Sequence, residues 1–104
     1  MLAKEQKDAF NSAKRVVSVV KYGRYQYKIR HPWRDIDGPS TETRGSYNYI
    51  TARQLCAEYI AFYAMRILGY DSETAEWATG DYPTGGADKI YRDALTKAGP
   101  VDIG

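Results

Sequence analysis

The sequence predicts an α+β fold: an N-terminal helix, an antiparallel sheet of two or three strands built on a hairpin over residues 16–30, a long central helix over 51–68, and two short C-terminal helices. Three observations carry that prediction. The stretch Ile50 to Tyr70, ITARQLCAEYIAFYAMRILGY, has a readable start, body and stop; Val16 to Arg30 alternates about a Gly23-Arg24 turn; and glycines and a proline cut the chain after Tyr70 into pieces of helical length.

A chain of 104 residues can bury a core without metal or disulfide staples, so a single domain over 1–104 is expected. Hydrophobic content of 43% with 27% charged residues excludes wholesale disorder. The start, MLAKEQKDAF, is charged and lacks the apolar segment of a signal peptide, and the central helix carries Arg53, Glu58 and Arg66. A cytoplasmic location with no membrane partner is the expectation. A single cysteine, Cys56, cannot close an internal disulfide and reads as a small buried hydrophobe; with one histidine it leaves too few soft ligands for structural zinc. No metal and no cofactor are expected.

Leu2, Ala9, Phe10, Ala13, Val16, Val17 and Val20 recur at helical spacing, yet four valines between Val16 and Val20 favour a strand. The conflict resolves best with a helix ending near Lys14 and a strand starting near Val16; a helix reaching Val20 is the competing reading. If Gly23 and Arg24 form a type II′ turn, Tyr22 pairs with Tyr25, Val20 with Tyr27, and Ser18 with Ile29. That register collects Val16, Val20, Tyr22, Tyr25, Tyr27 and Ile29 on one face, with Lys21, Gln26, Lys28 and Arg30 on the other. The central helix is expected on the Val/Tyr face.

From His31 to Tyr49 the chain is rich in Pro, Gly, Ser, Thr and Asp, a long connection in which a third strand is expected over about Thr43 to Tyr47. His31, ahead of Pro32 with no second histidine, reads as a surface or turn residue. Thr51 and Gln54 then make a capping box for the central helix, Ile50 and Leu55 a hydrophobic staple, and Gly69 with Tyr70 a Schellman stop. Ala57, Ala61 and Ala64 form a stripe of small residues that lets another helix approach closely. Asp71 or Ser72 caps the first C-terminal helix and Gly80 ends it; Gly85 and Gly86 introduce the second, ADKIYRDALTKA, and Gly99 and Pro100 end it.

Charge is unevenly distributed. Up to Arg53 there are 11 Lys/Arg against 5 Asp/Glu, and from Gln54 onward 4 against 8. Lys14 to Arg34 holds seven basic residues and no acidic one, a candidate electrostatic footprint. Ten tyrosines add side chains favoured at contact surfaces. Lysine and arginine along a two-stranded ribbon can neutralise a line of phosphates, so the expected function is a small non-enzymatic binding module, with nucleic acid the favoured partner. The binding residues are expected to be Lys21, Arg24, Gln26, Lys28, Arg30, Trp33 and Arg34. The alternative is a protein-interaction module, an adaptor, subunit or inhibitor, whose basic edge docks an acidic protein surface. Weak self-association through the apolar central helix is a further expectation.

Catalytic readings find little to stand on. The stretch from Ile67 to Tyr82 resembles in part the motif around the nucleophile of tyrosine recombinases, with Arg53 upstream. Tyr70 stands where that motif has histidine and no second arginine box is present, so no catalytic residue is assigned. The loop GDYPTGGAD lacks the Lys-Ser/Thr of a P-loop and reads as a helix entry.

Overall fold

The computed structural model describes residues 2–33, 36–80 and 85–101, and has the predicted order of elements. Helix α1 runs from Lys4–Val16; strands β1 (Ser18–Gly23), β2 (Gln26–Pro32) and β3 (Ser40–Glu42) form one antiparallel sheet in that order. Helices α2 (Tyr49–Ile67), α3 (Ser72–Thr79) and α4 (Ala87–Ala98) follow.

The first helix continues two residues past Lys14, and only Val17 separates it from β1. Ala9 and Ala13 are fully covered on its inner face, and Phe10 stacks on Tyr91 of α4 with ring centroids 5.3 Å apart. Valine crowding therefore sets where the strand begins, and α1 ends when its apolar stripe is spent.

Helix α2 packs against α1, α3, α4, β1 and β2. Ala52, Ala61 and Ala64 are fully buried, which lets neighbouring backbones come close; Ala57, the third alanine of the expected stripe, is only half-buried. Its C-terminal stop is a Schellman motif: Gly69 takes φ +105, the Gly69 N–H donates to the Arg66 carbonyl at 3.1 Å, and the Tyr70 N–H donates to the Met65 carbonyl at 3.2 Å. Its start differs from expectation. Asn48, not Thr51, is the N-cap, its side chain accepting from the Thr51 N–H at 2.8 Å. Thr51 is thus the third helical residue rather than the cap, Tyr49 and Ile50 lie inside the first turn, and the expected staple is absent, since Ile50 is 81% exposed.

The sheet corrects the expected hairpin register. Ser18 pairs with Arg30, Val19 with Ile29, Val20 with Lys28 and Lys21 with Tyr27, one residue out from the type II′ register. The tip explains the slip: Arg24 and Tyr25 form the turn, and Tyr25 takes the left-handed backbone, φ 63. Gly23 then pairs with Gln26, and Tyr22 is the extra residue of a bulge. Val19, Ile29 and Tyr27 face the core and Ile29 is completely buried; Val20 and Tyr22 turn to the opposite face.

The third strand lies earlier than expected. Arg30, His31 and Pro32 pair with Glu42, Thr41 and Ser40, while Tyr47 makes a separate bridge to Tyr27. Between these pairings residues 43–46 carry two residues more than the facing stretch of β2 needs, and the chain bends out through Arg44 and Gly45. The Thr43 hydroxyl bridges the gap, accepting from the Ile29 N–H and donating to the Gly45 carbonyl, each at 3.2 Å.

Asp71 caps α3 through the Thr74 N–H at 2.7 Å, and that bond holds its carboxyl below the usual carboxylate range. The buried side chains form one hydrophobic cluster with Met65, Tyr91 and Ile29 its largest fully covered members. Among the described residues no helix is long and apolar enough to cross a membrane.

Candidate nucleic-acid interface

The hairpin owes its position to one buried side and its availability to the other. Ile29 and Tyr27 anchor β2 on the core, so alternation along the strand turns Gln26, Lys28 and Arg30 outward. Opposite them on β1 the same face carries Val20 and Tyr22. The register thus brings an aromatic ring among the cations: the Lys28 ammonium lies 4.0 Å from the centroid of the Tyr22 ring, which is nevertheless 61% exposed. At the tip the Arg24 guanidinium is 5.4 Å from the ring of Tyr25, itself 75% exposed.

The expected binding residues do not all converge. Lys28, Arg30 and Gln26 share the outer face, and Arg24 crowns the tip. Lys21 is exposed but lies opposite Tyr27, on the other face of the ribbon. Trp33 sits past the far end of β2, half exposed, with its backbone N–H on the Pro39 carbonyl at 2.7 Å. Arg34 lies outside the described residues. Lys14 and Arg15, exposed in the last turn of α1, extend the positive charge toward the foot of β1.

Arg30 is neutralised locally by Glu42 of β3 at 3.0 Å, while no carboxylate among the described residues lies within 4.0 Å of Lys21, Arg24 or Lys28. None of the described carboxylates of the acidic C-terminal half pairs with the ribbon there: Asp88 pairs instead with Arg92 within α4 at 2.8 Å, and Glu73 and Glu76 stay exposed on α3, while Asp81 lies outside the described residues. Three cations of the hairpin thus have no carboxylate partner among the described residues.

At the base of the hairpin lies a polar contact that the sequence does not announce. His31 stacks on Tyr59 of α2 with ring centroids 4.6 Å apart, and its Nδ1 is 2.8 Å from the Tyr63 hydroxyl. That hydroxyl donates to the Pro32 carbonyl at 2.6 Å, so its oxygen accepts from His31, which places the imidazole proton on Nδ1. Burial, with the nearby Tyr59 hydroxyl, pushes Tyr63 up to about 12. His31 is thus a half-buried clasp between β2 and α2 rather than a surface residue.

A second feature is an open groove of about 600 Å³ beside the first turns of α2, lined in part by Val19, Tyr49, Ile50, Arg53 and Ile60. Cys56 reaches it half-buried, and burial pushes its thiol up. Among the described residues no group of three or more His, Cys, Asp or Glu side chains is placed to hold a metal ion.

Tyr22 and Tyr25 are exposed beside the hairpin cations, whereas sequence reasoning assigned both to the buried face. The signal for Tyr25 was its place beside the Gly-Arg turn, where a buried ring has nothing to pack on. Compared with known proteins, the chain matches no family model, no curated protein and no solved structure.

Proposed function

We propose that this chain is a small non-enzymatic binding module that holds nucleic acid along its β1–β2 hairpin, chiefly through the phosphate backbone. The observation that carries the reading is the set of hairpin cations that pair with no described carboxylate, Lys28 on the outer face, Arg24 at the tip and Lys21 on the opposite face, on an arm fixed to the core by Ile29. Like charges held together repel, and the repulsion becomes attraction when a polyanion lies along the arm. Arg30 contributes less, because Glu42 already satisfies it.

The test is a salt titration. A fluorescent oligonucleotide is bound by the wild-type chain and by the triple variant Lys21→Gln, Arg24→Gln, Lys28→Gln across ionic strengths. Each lost phosphate contact lowers the slope of log affinity against log salt by about one. An unchanged slope, or no binding by the wild type, contradicts the reading.

A second reading rests on a different observation. Ile50 and Tyr49 stand exposed beside the open groove, with Arg53 near them, 5.8 Å from the Tyr49 ring centroid. An acidic protein surface with an apolar centre fits that combination. Weak self-association through the central helix would use the same face. Substitution of Ile50 and Arg53 separates this reading from the first, since neither residue belongs to the hairpin.

A further inference from the structure

We infer that the hairpin selects single-stranded over duplex nucleic acid, by stacking unpaired bases on Tyr22 and Tyr25; this rests on the nucleic-acid reading above. Two tyrosines are presented in a way that folding does not require. Tyr22 occupies the bulge of β1, where the chain carries one residue more than its partner strand, and bulges re-aim side chains. Its ring covers no core residue, yet it is held in place by the Lys28 ammonium at 4.0 Å from its centroid. A ring with a cation on one face offers the other to a base, and the cation stands near the phosphate attached to that base.

Tyr25 makes the stronger case. It sits at φ 63, a left-handed backbone that crowds any Cβ and that bulky residues seldom adopt. Asparagine or glycine suits such a position, and the tyrosine ring gains no burial in exchange, being 75% exposed. A residue that is locally unfavourable for the turn and unpacked against the fold points to a role for its ring outside the fold.

The two rings discriminate between strand types. Unpaired bases have free π-faces, and each stacked base contributes to affinity whatever its identity. In a duplex those faces are covered by neighbouring base pairs, and a ring gains nothing unless a step is unstacked. Backbone cations alone give no such preference, so strand selectivity reports on the tyrosines and overall affinity on the charges.

The experiment measures binding of a labelled 12-nucleotide single strand and of the matching 12-base-pair duplex to the wild type, Tyr22→Val, Tyr25→Asn, Tyr25→Phe and the triple charge variant. The wild type is expected to favour the single strand by roughly tenfold or more, from the ordinary contribution of one or two stacked bases. Tyr25→Asn should lose most of that preference, leave duplex affinity within about twofold, and melt no lower than the wild type, because asparagine accepts the left-handed turn. Tyr25→Phe should retain the preference. Equal affinity for both strand types, with the tyrosine variants unchanged and the charge variant weakened on both, overturns the inference while leaving the nucleic-acid reading intact. Absence of binding to either probe overturns both. Lower melting of Tyr25→Asn shows that the ring serves the fold and also overturns the inference.

Discussion

The Lys28 ammonium lies 4.0 Å from the centroid of the Tyr22 ring, joining the bulge of one strand to the cationic face of the next. An exposed cation–π pair contributes about 0.5–1 kcal/mol. A double-mutant cycle on Tyr22→Val and Lys28→Gln, read by urea unfolding, should therefore show a coupling of that size. Strict additivity would mean that the bulge alone orients the ring.

The His31 clasp gives a second expectation. Tyr63→Phe removes the donor to the Pro32 carbonyl and one acceptor for His31, so that the His31 Nδ1 and the Pro32 carbonyl, 2.9 Å apart, keep only each other. A loss of about 0.5–1.5 kcal/mol in chemical unfolding is expected, the net worth of a hydrogen bond. Imidazole nitrogen shifts should place the proton on Nδ1 in the wild type and keep it there in the variant, where the Pro32 carbonyl remains as acceptor.

Alkaline pH probes the buried tyrosines. Tyrosine ordinarily ionises near pH ~10. In the folded chain burial, with neighbouring tyrosines adding to it, holds the Tyr63 and Tyr91 protons up to about 12. The folded state thus binds more protons than the unfolded one across that window, so their stabilisation is complete below pH ~10 and lost as pH rises through ~12. Urea midpoints followed upward from pH ~8 should fall most steeply beyond pH ~10, after an earlier contribution from the raised Cys56 thiol. Phe at either position should remove its share of the fall.

The start of α2 offers a simple comparison. Asn48→Ala should cost about 1 kcal/mol, as N-cap removals do, whereas Thr51→Ala should stay within about 0.5 kcal/mol. The reverse ranking would restore Thr51 as the cap.

These tests fall where local sequence signals compete. The Schellman stop at Gly69 and the Asp71 cap were legible because each is set by a few adjacent residues. Asn48 and Thr51 are both good caps three residues apart, and Gln54 behind Thr51 pointed to the wrong one. In the hairpin, alternation along β2 was readable, but the register depended on a turn centred on Arg24 and Tyr25, a conformation that tyrosine does not advertise. The outward cations of β2 were therefore legible, and the rings beside them were assigned to the core. The clasp at His31 was not legible at all, since its partners Tyr59 and Tyr63 lie about 30 residues away.

The most direct test of the hairpin as a nucleic-acid interface is amide chemical-shift mapping during titration with a single-stranded oligonucleotide. The account predicts saturable shifts concentrated from Lys21 to Lys28, with Ile50, Ala57 and Ala87 around the groove unmoved. Shifts centred on the groove, or none at all, would contradict it.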